Sequence, residues 1–226
     1  MLPASHTNQP RVLVTGFDAF GGDPINPSWL VAQALHGRQI AGHRVVGAQL
    51  PTVFGASRTR LLQLLQTHRP ALVVCLGLAG GRCAIGLERV ATNINDARIA
   101  DNAGAQPIDT LTAPRGPAAY FSSLPIKSML SAMRETGVPV EVSNSAGTFV
   151  CNHVFYALMR TLARSGGNTR GGFMHLPWLP QQAPADAGGG GSMELDDMLR
   201  SVRAGLRAAL LRAPGSDLPL GAGTTD

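Results

Sequence analysis

The 226-residue chain has three cysteines, and one of them sits where a nucleophile would. Cys151 follows SNSAGTFV, a polar, turn-forming stretch, and opens a segment with helical apolar spacing. A thiol at a helix N-terminus meets the positive end of the dipole and unpaired N–H groups, and both favour the thiolate. The competing reading is a small buried cysteine, the commoner fate of an intracellular thiol. Cys75, inside the apolar run ALVVCL, reads as structural, and Cys83 lies in a Gly-rich turn with no partner pattern. A cysteine nucleophile needs a base. His6, His36, His43 and His68 fall in tails, turns or exposed helix ends, and His153 points roughly the opposite way from Cys151 on a helix. His175 closes an expected strand just before LPWLP, and open α/β sheets collect their sites at the C-terminal ends of strands. A hydrogen-bonded core histidine is the alternative there. Glu88 interrupts an apolar approach to a strand, where an unpaired carboxylate would be costly, and it suits the group that orients an imidazole. A salt bridge to Arg89 or Arg98 would account for it equally, and Asp96 and Asp101 compete for the role.

These positions need a scaffold of alternating strands and helices. RVLVTG, residues 11–16, is a β-branched run ending in glycine and reads as a buried strand, followed by the loop FDAFGGDPINPS. Ser28 is placed to cap a helix running to Leu35, with Gly37 ending it. Residues 43–50 read as a second strand. Phe54, Leu61, Leu62 and Leu65 repeat at helical spacing up to His68, and Pro70 stops them. Residues 71–76 form a fully apolar strand of the parallel-sheet kind, and 88–93 alternate as another strand. Residues 97–124 read as turns and short extended pieces, 125–136 as a helix and 138–142 as a strand. Residues 151–163 read as a helix with Val154, Phe155, Leu158, Met159 and Leu162 inward, and 172–176 as the last strand. An apolar stripe from Leu195 to Leu210 makes the closing helix, with Ser192 as its expected cap and Glu194, Asp196 and Asp197 favouring its dipole. The pattern predicts one α/β domain over 1–226, a three-layer α/β/α sandwich with a mainly parallel, twisted sheet. Residues 1–10 are expected as a flexible N-terminus, 183–191 as a mobile Gly-rich loop and 213–226 as a flexible tail.

A formal charge of +5 and a pI near 9.9 raise the question of nucleic acid, but the 19 basic residues are spread along the whole chain. The densest group, Arg200, Arg203 and Arg207, has the spacing of a solvated helix face, and no basic stripe interleaves with aromatics. No nucleic-acid partner is expected. An odd cysteine count without a CxxC pair argues against a disulfide scaffold and against a thiolate zinc site, so no metal is expected. The first ten residues lack the basic start and apolar core of a signal peptide. The longest apolar stretch, 71–78, is broken by Gly77 and is too short to span a bilayer. The expectation is a reduced, cytoplasmic protein with no membrane partner.

The segments carrying these groups resemble the pyroglutamyl peptidase I (pyrrolidone-carboxylate peptidase) family of cysteine peptidases, over about 11–182 and again around 192–199. VTGFDAFGG with INPS looks like the family's N-terminal loop, and GLERVATNINDARIADN like its glutamate segment. SNSAGTFVCN resembles its cysteine segment and GFMHLPWLPQQ its histidine segment, all in the family's order. The resemblance implies an omega peptidase that cleaves after an N-terminal pyroglutamyl residue through a thioester acyl-enzyme, with no metal or cofactor. It implies a homo-oligomer, a dimer or tetramer, acting on peptides with N-terminal pyroglutamate. It assigns Cys151 as nucleophile, His175 as general base and then acid, and Glu88 as orienter. Phe17 and Phe20 would wall the pocket, Asn26 would fix the loop, and Thr52, Leu78, Ile99, Phe149 and Val150 would line it. Arg98 would stand near the developing oxyanion.

Pyroglutamate is a flat, uncharged lactam without a free α-amine, so an aromatic slot with a few hydrogen bonds suits it. The chain departs from the family at Leu78, where glutamine is usual, at Asp18 and Ala19 in the N-terminal loop, and at Gln181. Gly77 and Gly80 around Leu78 are expected to let the main chain approach a flat ligand. A non-catalytic binder on this scaffold would be marked by a lost Cys, His or Glu, and all three are present. A nucleoside phosphorylase on a related sandwich would show a phosphate loop, and VTGFDAFGG has neither a Walker lysine nor GxGxxG.

Overall fold

The computed structural model describes residues 9–184 and 191–223. In chain order these form β1 (Arg11–Phe17), α1 (Pro27–Leu35), β2 (Gln39–Ile40), β3 (His43–Leu50), α2 (Phe54–His68), β4 (Leu72–Leu78) and β5 (Ile85–Glu88). Then follow β6 (Val90–Thr92), β7 (Ala119–Phe121), α3 (Ile126–Arg134), β8 (Val140–Ser143), α4 (Val150–Ser165), β9 (Arg170–Leu176) and α5 (Leu195–Leu211). Seven strands make one sheet in the order β2-β3-β1-β4-β9-β5-β8. β1 runs parallel to β3 and β4, β4 to β9, and β5 to β8. β2 is antiparallel to β3, and β5 is antiparallel to β9.

Alternation along the central strands explains the three layers. Val12 and Val14 of β1, with Leu72 and Val74 of β4, join one core with Val31 of α1, Met129 of α3 and Val202 and Leu206 of α5. Leu13, Val73 and Cys75 face the other way and join Leu61 and Leu64 of α2 with Val154, Phe155 and Leu158 of α4. A strand's period of two thus supplies both cores, which is why these strands are apolar at nearly every position.

Four expectations are corrected locally. The strand expected over 88–93 is two, because the chain leaves the main sheet after Glu88 and β6 pairs with β7 in a separate ribbon. At the break the Arg89 N–H donates to the Ser143 carbonyl, and the Arg89 carbonyl accepts from Ser122 N. α1 starts two residues early, with Asn26 rather than Ser28 as its cap: Asn26 Oδ1 accepts from Ser28 N at 3.1 Å. α5 starts at Leu195 behind Glu194 with no side-chain cap, and Ser192 instead forms a bridge to Trp178. Residues 213–223, expected as a flexible tail, are bonded to the body: Asp217 accepts from Lys127 N and Ser128 N at the start of α3, and the Ala222 carbonyl accepts from Lys127 Nζ. Most of the expected N-terminal segment and Gly-rich loop, at 1–8 and 185–190, lies outside the described residues, as do 224–226.

Candidate active site

β9 and β5 run antiparallel with Gly86 opposite His175, and this places Glu88 two residues further on, level with Phe173. His175 Nδ1 and Glu88 Oε1 are 2.7 Å apart, and both residues are buried. A carboxylate accepts, so Nδ1 carries a proton, and in the neutral imidazole Nε2 would be the nitrogen with the lone pair. Glu88 Oε1 also accepts from Arg82 Nη1 at 3.0 Å, whereas Oε2 has no partner among the described residues. The salt-bridge partner of Glu88 is therefore Arg82, not Arg89 or Arg98. Arg89 follows Glu88 directly, and the chain leaves the sheet there; its Nη2 donates to the Ala222 carbonyl.

Of the rival carboxylates, that of Asp101 is engaged elsewhere. Asp101 Oδ2 accepts from Phe54 N and so caps α2 from a distance, while Oδ1 accepts from Ala103 N and Ala105 N. Burial alone would raise its pKa, but these N–H donors together hold it below the usual carboxylate value. Asp96 bonds Thr148 through its backbone. His153 is buried against α2, stacked edge-on to Phe54 and bonded through Nδ1 to Asn95 Oδ1. Burial and then the charge of Arg58 hold its pKa down at about 4.

Cys151 is the second residue of α4, where the first N–H groups of the helix have no partner within it. Its Sγ packs on Gly77, where a Cβ would come within 2.8 Å of the sulfur and of the Phe173 ring. Gly77 is the register partner of His175 between β4 and β9, so the thiol sits over the strand end beside the imidazole. The Phe173 and His175 rings are 4.9 Å apart. Burial first, then the charge of Glu88 and Cys75, push the thiol up to about 12, with Arg82 pulling the other way. Sequence reasoning missed the tie that aims this helix. Asn152 is fully buried, accepts from Thr92 N at 2.9 Å, and donates to the Thr92 and Ile94 carbonyls. α4 is thereby fastened to the segment that follows Glu88.

The remaining expected residues divide into a rim and its supports. Phe20 and Phe149 lie 5.3 Å apart and are half-buried, and Phe54 closes edge-on behind Phe149. Phe17 and Val150 are buried in the α2/α4 core, Phe17 against Phe173. Asn26 lies in the N-terminal loop and donates to the Asp18 carbonyl at 2.9 Å. Thr52 is likewise a loop clamp, since its N–H and hydroxyl both donate to Asp18 Oδ1. Asp18 is the centre of that clamp and went unnoticed in the sequence beyond being a departure. Leu78 ends β4, half-buried and paired with Leu176. The glycines around it make room for protein groups rather than ligand: Gly77 for Cys151 and Phe173, Gly80 for the Trp178 ring. Arg98 and Ile99 are exposed on the loop after Ala97, Ile99 at 56%. Among the described residues no cluster of His, Cys, Asp and Glu could hold a metal ion, and no helix is long and apolar enough to cross a membrane.

Comparison with known proteins places this geometry in context. The family model described as pyroglutamyl peptidase matches residues 10–212. The chain is 54% identical to a pyrrolidone-carboxylate peptidase of Cupriavidus taiwanensis over 202 residues, 89% of this chain and 93% of the relative. It is 48% identical to a pyrrolidone-carboxylate peptidase of Streptomyces coelicolor over 95% of this chain and 99% of that one. The crystal structure of pyroglutamyl peptidase I from Bacillus amyloliquefaciens superposes with a TM-score of 0.90 at 40% identity, covering 94% of this chain and all (100%) of that one.

Proposed function

The chain belongs to the pyroglutamyl peptidase family, so it is a peptidase acting on N-terminal pyroglutamate, and we propose that Cys151, His175 and Glu88 carry the reaction. The observation that supports these roles most directly is the 2.7 Å bond from His175 Nδ1 to Glu88, beside the glycine on which Cys151 Sγ packs. The thiol proton passes to His175 Nε2 as Sγ attacks the carbonyl carbon of the pyroglutamyl residue. Free N–H groups at the start of α4 stabilise the oxyanion. The tetrahedral intermediate expels the peptide amine, which takes the proton from Nε2, and a thioester remains. Water then attacks the thioester, giving a proton to Nε2, and collapse releases pyroglutamate and a thiolate that recovers this proton. Glu88 keeps the imidazole in the tautomer with Nε2 free and stabilises its cationic form. Phe20 and Phe149 offer a flat apolar slot for the lactam.

Hydrolysis of a pyroglutamyl-coumarin amide, beside a thermal melt, tests the roles. Cys151→Ala is expected to abolish turnover and keep the melting temperature. Cys75 is fully buried in β4, its thiol pushed up to about 12 by burial, so Cys75→Ala is expected to lose stability while the folded fraction stays active. Full activity in Cys151→Ala would overturn the mechanism. The family resemblance also carries a cytoplasmic homo-oligomer, dimer or tetramer, and exposed Ile108 and Leu111 offer apolar surface for such association to cover. Light scattering that gave a monomer at working concentration would remove that part.

A further inference from the structure

We propose that Arg82 is a positioning residue for this reaction, fixing the Glu88 carboxylate against His175 while clasping the turn that leads into Cys151, a role that rests on the triad reading above. Glu88 is fully buried and takes both its hydrogen bonds on one oxygen, with Oε2 unpartnered among the described residues. A buried carboxylate with half its acceptor capacity unused needs a counter-charge nearby. His175 cannot be that charge, because it must be neutral to act as base. Arg82 is the permanent cation in ion-pair contact, at 3.0 Å, with its side chain 29% exposed against 0% for Glu88.

The reach of Arg82 joins three limbs of the site. Its backbone lies on the glycine loop after β4, Nη1 binds Glu88 at the end of β5, and Nη2 reaches the Ser145 carbonyl at 3.4 Å on the turn before α4. Gly86 leaves room for the guanidinium, and Gly80 for the ring behind the loop. A Cβ at Gly86 would collide with Nη1, and one at Gly80 would collide with the Trp178 ring that braces the loop from the histidine segment. Arg82 is also the cation whose field favours the Cys151 thiolate, opposing Glu88. An exposed ion pair would carry little energy, but here one partner is wholly buried and is the group that orients the base.

Arg82→Gln, Arg82→Lys, Glu88→Gln and the Arg82→Gln/Glu88→Gln double variant, assayed with the pyroglutamyl-coumarin amide beside thermal melts, test this. Arg82→Gln is expected to lower kcat by about 10- to 100-fold through misaimed groups, with KM within about threefold of the parent. Arg82→Lys should fall between, since lysine restores the charge but not the two-pronged grip. On the Glu88→Gln background the Arg82→Gln change should cost less than about threefold, because it acts through Glu88. Parental kcat in Arg82→Gln with an impaired Glu88→Gln would overturn the role of Arg82 and leave the triad standing. Parental kcat in Glu88→Gln would overturn the triad reading and this role together. A loss confined to KM, or one of equal size on the Glu88→Gln background, would also overturn it. If Arg82→Gln melts below the assay temperature, Arg82→Lys decides: reduced kcat supports the role, and parental kcat overturns it.

Discussion

Cys151 shows how two local effects compete at one atom. The start of α4 and the Arg82 charge favour a thiolate, yet burial and the Glu88 charge win and hold the thiol at about 12. On the proposed mechanism the resting thiol is therefore protonated, and a nucleophile would form only as its proton moves to His175. Alkylation by iodoacetamide, followed at Cys151 by peptide mapping in a Cys83→Ser background, should keep rising with pH beyond 9. A plateau below pH 7 would instead mean a preformed thiolate–imidazolium pair. Glu88 teaches a related lesson about neighbours. Its adjacent arginine was the obvious partner in the sequence, but successive residues of an extended chain point to opposite faces, so Arg89 was excluded by geometry and Arg82 was available. Leu78 gives a second prediction. Its main chain lies at the end of β4 beside the glycine on which Cys151 packs, so the backbone is already next to the Cys151 thiol. Leu78→Gln should then change kcat/KM by less than about threefold, under roughly 0.7 kcal/mol. A gain of tenfold or more would mean that a side-chain amide belongs in the site.

At the scale of elements, what was legible followed from punctuation and stripe. β3 and α2 run over the expected residues because a proline separates them at 51 and another stops α2 at 70. The break between β5 and β6 was not legible, since alternation fixes which face a residue takes but not which sheet its strand joins. The candidate residues Cys151, His175 and Glu88 were legible as positions because strand and helix ends are readable; the contacts of Arg82, Asn152 and Asp18 were not, because each reaches across distant segments. Asn152 did leave a signal, a polar residue in register with Phe155, Tyr156 and Met159 on the buried side of α4. Asn152→Ala would strand the Thr92 N–H and free two carbonyls, so a loss of about 2–4 kcal/mol in urea unfolding is expected. The helix that aims Cys151 would lose its fastening too, and kcat in the folded fraction should fall about tenfold. Stability lost with kcat intact would make the tie purely structural.

Across the whole molecule, the two faces of the sheet divide the labour. The α2/α4 face carries the aromatic rim and Cys151, whereas the opposite face packs α1, α3 and α5 and receives the segment after α5. That segment lies beyond residue 212, where the family match ends, yet it is fastened at two points. Asp217 takes the N–H groups of Lys127 and Ser128 and the Ser128 hydroxyl, capping α3, which has no cap of its own. The Ala222 carbonyl accepts from Lys127 and from Arg89, the residue next to Glu88. A chain ending at Arg212 should therefore fold, with α3 uncapped and Arg89 short of an acceptor, and lose about 1–3 kcal/mol. Acid should erase part of the difference. Burial alone would raise the Asp217 pKa, but the donors at α3 hold it below the usual carboxylate value. A depressed folded pKa gives stability that is present above the unfolded value and is lost as pH falls through the folded one. Urea unfolding of the two chains should thus differ fully at pH 7, and the gap should begin to narrow as pH falls below about 4. A difference unchanged down to pH 2 would show that the strap holds through Ala222 and its apolar contacts, not through the Asp217 carboxylate.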